Sequence, residues 1–120
     1  MRRIYTLKTC STCVRILKTI DPTSDFEIIN IKEQPISADD LDAIKSKVGS
    51  YEAIFSKKSQ KYKLLGERAK TLKEGDFRDL MLQEYTYLKR PFILIDDEVF
   101  IGNSKETVEQ AKSKMESIRS

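Results

Sequence analysis

Two cysteines, Cys10 and Cys13, stand three positions apart and are the only two in the chain. A Cys-x-x-Cys pair can hold a metal, close a structural disulfide, sit inert in a core, or perform thiol chemistry. A structural zinc site needs four ligands. This chain offers two cysteines and no histidine, so a metal would need carboxylates or a second subunit, and none is assigned. A disulfide between the two closes a very small loop and constrains the unfolded chain little. Thiol chemistry is the reading the residues favour. The thiolate is the nucleophile, so its surroundings must favour it over the thiol. A helix N-terminus does this with unpaired N–H groups and the positive end of the dipole. Cys10 is placed just before such a terminus, with Lys8 and Arg15 near it in sequence. Cys13 lies one turn inward. Residues three apart share a helix face, which makes Cys13 the natural resolving thiol. Its attack on a Cys10–substrate adduct releases product and leaves an intramolecular disulfide.

The lack of histidine narrows the chemistry further. It removes Ser-His-Asp and Cys-His mechanisms and any base that titrates near neutrality without perturbation. A nucleophile here must be activated by its electrostatic surroundings. The second notable feature is Arg90-Pro91, directly before the apolar run Phe92 to Ile95. Cis bonds are nearly confined to X–Pro. With Cys-x-x-Cys upstream, Pro91 is expected to be a structural cis-proline rather than a trans-proline opening an edge strand.

These residues need elements to hold them. Arg2 to Leu7 reads as a strand, Lys8 to Thr12 as a loop, and Cys13 to Ile20 as a helix with Val14 and Leu17 on its apolar face and Ile16 and Ile20 on the flank. Asp21 to Asp25 forms a proline turn, and Phe26 to Ile31 a second strand. Ser37 with Asp40 matches a capping box. It opens a helix bearing Leu41, Ile44 and Val48 and closed by Gly49. Tyr51 to Phe55 reads as a short helix, Tyr62 to Asp76 as broken helix, and Asp76 to Tyr85 as a helix with Phe77, Leu80 and Met81 inward. Phe92 to Ile95 and Glu98 to Ile101 form a hairpin around Asp96-Asp97. Ser104 caps a last helix from Lys105 to about Ile118. The order βαβ, helical middle, ββα implies a right-handed parallel crossover joined to antiparallel strands. With Cys-x-x-Cys after the first strand, this is an α/β, thioredoxin-like arrangement. Its mixed sheet is flanked by helices and carries a helical insertion at about 37–88.

The 120 residues suit one domain, 1–120, able to build a core without metals or disulfides. No apolar run approaches the roughly 18 residues of a membrane helix, and the N-terminus shows no signal-peptide pattern. The expected address is the cytoplasm, where structural disulfides are rare. With 22 basic and 19 acidic residues, the net charge of +3 lacks the imbalance of a nucleic-acid binder. The basic cluster Ser56 to Lys63 reads as a solvated face. No helix face looks surplus, so a monomer with neither a nucleic-acid nor a membrane partner is expected.

The stretches "YTLKTCSTC" and "LKRPFILIDDEVFIGNS", the insertion between them and the chain length together resemble the arsenate reductase ArsC and Spx family of thioredoxin-like proteins. The resemblance spans almost the whole chain. It implies a nucleophilic Cys10 and, in the arsenate reductases, an arginine triad around a small oxyanion. The triad positions fall on Arg90, on Lys57 and on Gly102. The arginine that usually follows the cysteine by four is Val14 here, and Arg15 stands one position later. A lysine offers a point charge where arginine offers a planar fork, so the oxyanion pattern is partly kept. The arsenate reductase branch implies a thiol-dependent oxidoreductase acting on an oxyanion or a thiol or disulfide substrate, with Cys10, Cys13, Arg90, Lys57 and Arg15 as its site. It would have no bound cofactor, and glutathione, glutaredoxin or thioredoxin would be its reductant and thiol-redox partner. The Spx branch shares Cys-x-x-Cys and the glycine of "FIGNS". It implies the alternative, a redox-switched regulator that binds the C-terminal domain of the RNA polymerase α subunit.

Overall fold

The computed structural model describes residues 1–119, which form two compact units. The first comprises Met1–Gln34 and the described residues from Arg90 onward, and the second Pro35–Lys89. The first unit is a four-stranded mixed sheet in the order β2-β1-β3-β4, built from β1 (Arg2–Thr6), β2 (Glu27–Asn30), β3 (Phe92–Ile95) and β4 (Glu98–Ile101). β1 runs parallel to β2 in the register Ile4↔Ile28, antiparallel to β3 with Ile4↔Ile93, and β3 pairs β4 as a hairpin with Leu94↔Val99. β1 and β3 are the two central strands, and burial follows from that place: Ile4, Tyr5 and Thr6 of β1 and all four residues of β3 are buried.

Helices α1 (Ser11–Ile20) and α5 (Lys105–Arg119) pack together on the sheet. Ile4, Ile93 and Ile95 from the strands meet Ile16 and Ile20 of α1 and Ala111 and Met115 of α5, with Phe26 at the edge. On the strands, alternate residues face opposite sides of the sheet. Tyr5, between Ile4 and Thr6, stacks on Phe92 with ring centroids 4.5 Å apart.

α1 begins at Ser11, two residues before the sequence reading placed it. Its buried row is Cys13, Ile16 and Ile20, while Val14 is 39% exposed. The apolar face expected around Val14 is thus rotated, because Cys13 packs as a small apolar side chain. Asp21 ends α1 in the left-handed conformation at φ 50, its N–H bonded to the Leu17 carbonyl at 2.9 Å.

The second unit contains α2 (Ala38–Val48), α3 (Gln60–Leu64) and α4 (Glu74–Gln83), with 3-10 turns at Gly66–Thr71 and Tyr85–Tyr87. Ser37 caps α2 by accepting the Asp40 N–H at 3.1 Å, and Gly49 closes it at φ 102. Phe55 anchors an aromatic cluster with Phe77, Tyr87 and Tyr62 at 4.8, 5.1 and 5.6 Å between ring centroids. Tyr51 to Phe55, expected as a helix, is a turn ending in an isolated β-bridge between Phe55 and Leu88. Two backbone bonds hold the segment in this form: the Ser56 N–H donates to the Tyr87 carbonyl at 2.7 Å and the Lys89 N–H to the Ile54 carbonyl at 2.9 Å. α4 starts at Glu74 because Asp76 caps from inside it, accepting the Lys73 N–H at 2.8 Å. No helix among the described residues is long and apolar enough to cross a membrane.

Candidate thiol site

The chain leaves β1 at Thr6 and turns through Lys8 and Thr9 into α1. Three bonds fix this turn. The Cys10 N–H donates to the Leu7 carbonyl at 3.0 Å, the Lys8 N–H to Asn30 Oδ1 at 3.4 Å, and the Ile31 N–H to the Thr6 carbonyl at 2.9 Å. The Val14 N–H then donates to the Cys10 carbonyl at 3.0 Å, the first bond of the helical ladder. Cys10 is therefore the N-cap residue, extended at φ −95 and ψ 112. It replaces the serine or aspartate usual there, and its sulfur makes no standard side-chain cap bond.

The two thiols are free and differ in setting. Cys10 is half-buried, whereas Cys13 has no exposed surface. Burial pushes the Cys10 thiol up, but the backbone N–H of Cys13, the Cys13 side chain, the Thr12 N–H and the Arg90 charge outweigh it, so Cys10 titrates below a free cysteine. Cys13 moves the other way. Burial is the largest cause and raises it, and the neighbouring Cys10 raises it further. The Leu7 backbone and the Thr6 hydroxyl oppose that rise without cancelling it. As pH rises, Cys10 becomes the thiolate first and Cys13 stays protonated. An attacking and a resolving thiol would need this order of ionisation.

Arg90 immediately precedes β3, and its peptide bond to Pro91 is cis. Its charge reaches the Cys10 sulfur, so the structure brings Cys10, Cys13 and Arg90 together. Arg15 lies on the exposed face of α1. There it lines a groove of about 730 Å³ with Lys8, Lys18 and Val14, flanked by Thr9 and Ser11 beside Cys10. The helix's first turn has no acidic residue to neutralise this face. Lys57 lies in the second unit, where its ammonium pairs with Glu52 at 2.6 Å, which holds it protonated. Gly102 ends the hairpin at φ 94, in the left-handed region that favours glycine. Among the described residues, no three metal-ligating side chains gather.

Sequence reasoning missed Thr6, whose hydroxyl is buried beside Cys13. A threonine in a strand reads as ordinary β-propensity. The available signal was its place on the Ile4 face, four residues before Cys10.

A mixed sheet with a Cys-x-x-Cys pair at the first strand–helix joint and a cis-proline at the start of β3 is a thioredoxin-like fold with a thiol site. A family model described as the ArsC family matches residues 5–111, and the chain belongs to that family. An arsenate reductase from Vibrio cholerae shares 18% identity at a TM-score of 0.75, over 95% of this chain and 96% of that one. An arsenate reductase (ArsC) related protein from Brucella melitensis shares 22% at 0.72, over 91% and 92%. At these identities the likeness establishes the fold. A comparison with curated proteins gives no match.

Proposed function

We propose that this protein is a thiol-dependent oxidoreductase in which Cys10 attacks and Cys13 resolves. One observation carries the reading: the half-buried thiol at the helix N-terminus is shifted toward the thiolate, while the fully buried thiol three residues on is shifted away from it. In the first step the Cys10 thiolate attacks one sulfur of a disulfide substrate. A Cys10 mixed disulfide forms, and one thiolate leaves with the electron pair. In the second step Cys13 loses its proton and attacks the Cys10 sulfur. The intramolecular disulfide forms, and the second thiolate is released. Two electrons have then passed to the substrate. An external thiol, such as glutathione, glutaredoxin or thioredoxin, returns them in the reducing cytoplasm.

Arg90 steadies the anion at Cys10, and Arg15 with Lys8 and Lys18 offers carboxylates or an oxyanion a basic approach. Lys57 is committed to Glu52, and Gly102 brings no charge. These features favour a disulfide substrate over arsenate. The test is turnover with a glutathione mixed disulfide and with arsenate, coupled to glutaredoxin or thioredoxin. Turnover of the disulfide is expected, lost in Cys10→Ser and stalled as a stable mixed disulfide in Cys13→Ser. No turnover with either substrate would sink the reading. Reversible Cys10–Cys13 oxidation without turnover would point instead to a redox switch, as in the Spx branch, with the RNA polymerase α subunit as the partner to examine.

A further inference from the structure

Thr6 ends β1 two residues beyond Ile4, so their side chains share one face of the sheet. On that face Ile4 packs in the cluster that contains Ile16 and Ile20 of α1. Cys13 precedes those two by three and seven positions on the same buried row. Thr6 and Cys13 therefore face each other inside the strand–helix joint, at 2% and 0% exposure. The Thr6 carbonyl is satisfied by Ile31. Its hydroxyl, among the described residues, is a buried polar atom with no hydrogen-bond partner. Such a group carries a desolvation penalty, and each instance needs an explanation. Valine would fill the same volume in a strand without that penalty.

We propose that Thr6 is a positioning residue for the resolving step, its rotatable hydroxyl donating to the Cys13 sulfur as negative charge gathers there. The proposal rests on the reading of Cys13 as the resolving thiol. Against the burial that disfavours a Cys13 thiolate, the Thr6 hydroxyl acts in its favour. In the step itself the Cys13 proton passes to water, the Cys13–Cys10 bond forms, and the bond from Cys10 to the substrate sulfur breaks. The departing thiolate takes the electron pair, so the mixed disulfide is the oxidant. Thr6 gives up no proton in the balance. The titratable neighbour acting on Cys13 is Cys10, which is then held in the mixed disulfide, and the cluster residues Ala111 and Met115 carry no charge.

The test uses the full chain and the aromatic disulfide 5,5′-dithiobis(2-nitrobenzoate). Loading Cys10 releases one nitrothiobenzoate, and attack by Cys13 releases the second. Thr6→Val is expected to load at the wild-type rate. Its second release is expected to slow about threefold at neutral pH, with the pH profile moved to higher pH. Losing a hydrogen bond to the thiolate cuts its population about tenfold, and the more basic thiolate regains about half of that on a logarithmic scale. Thr6→Ser is expected to restore both rate and profile, and the melting temperature of Thr6→Val should not fall. Coincident second-release profiles in Thr6→Val and wild type would overturn the proposal. So would a slowed first release alone, or a slowed second release that tracks lost thermal stability and is not restored by serine. Absence of a second release in wild type would overturn the resolving role of Cys13, and the role of Thr6 with it.

Discussion

At the scale of single residues, the site rests on two chemically identical side chains made unequal by where the backbone puts them. The backbone N–H groups of Thr12 and Cys13 lower the Cys10 pKa because Cys10 occupies the N-cap position, and the Arg90 charge just before β3 lowers it further. Cys13 is on the inward row and meets Thr6 instead. The pairing of cysteines with a helix start was legible from spacing alone. The packing role of Cys13 was not, because a cysteine read for its chemistry is not counted among the apolar residues that set a helix face. The Lys57–Glu52 pair was not legible either. The two residues are five apart across a turn, outside the three- and four-residue spacings that sequence reasoning can use. Arg90→Gln should raise the Cys10 pKa by removing positive charge. Alkylation of Cys10 should slow severalfold at pH 7 and approach the wild-type rate at high pH, where both proteins are fully thiolate. Identical profiles would remove Arg90 from the site.

At the scale of elements, the strands and terminal helices followed from their patterns. β3 is a continuous apolar run, β1 buries Ile4, Tyr5 and Thr6 after two arginines, and β4 follows a tight turn in which Asp96 takes φ 55. The middle of the chain was harder. Leu64 is 84% exposed and α3 buries no residue, so no apolar stripe marks it. Gly66 at φ 58 then opens a 3-10 segment that periodicity does not predict. The rotated face of α1 yields a direct contrast. Ile16→Ala should destabilise the protein by about 2–4 kcal/mol, because it opens a cavity in the main cluster. Val14→Ala should change stability by no more than about 0.5 kcal/mol, as an exposed substitution does. Chemical denaturation of both variants measures the difference, and equal losses would mean that α1 presents the face first read from the sequence.

At the scale of the whole molecule, each unit carries carboxylates held below their ordinary range. Asp25 is lowered first by the Thr23 hydroxyl and then by Arg2, and Asp96 is lowered by Arg2. In the second unit, Lys61 lowers Glu84. Asp42 is held down to about 2, first by Arg78, whose guanidinium donates at 2.8 and 3.1 Å, and next by the Tyr51 hydroxyl at 2.6 Å. A carboxyl depressed in the folded state contributes stability above its unfolded value, and that contribution is lost as pH falls through the folded one. For Asp42 the window runs from about 4 down to about 2. Stability should therefore decline through this range. Asp42→Asn should flatten its acid limb while leaving the Cys10 pH profile unchanged. Thermal melts from pH 5 to pH 2 would check this, and an unchanged slope in the variant would contradict it.

The central claim is that the fold makes Cys10 the thiolate while Cys13 remains a thiol. The most direct measurement is the pH dependence of Cys10 alkylation in a Cys13→Ser variant, which keeps a donor at position 13 and removes the competing thiol. The predicted midpoint lies below the value of about 8.5 for a free cysteine. A midpoint at or above that value would mean that burial prevails over the helix N-terminus and Arg90, and it would contradict the account.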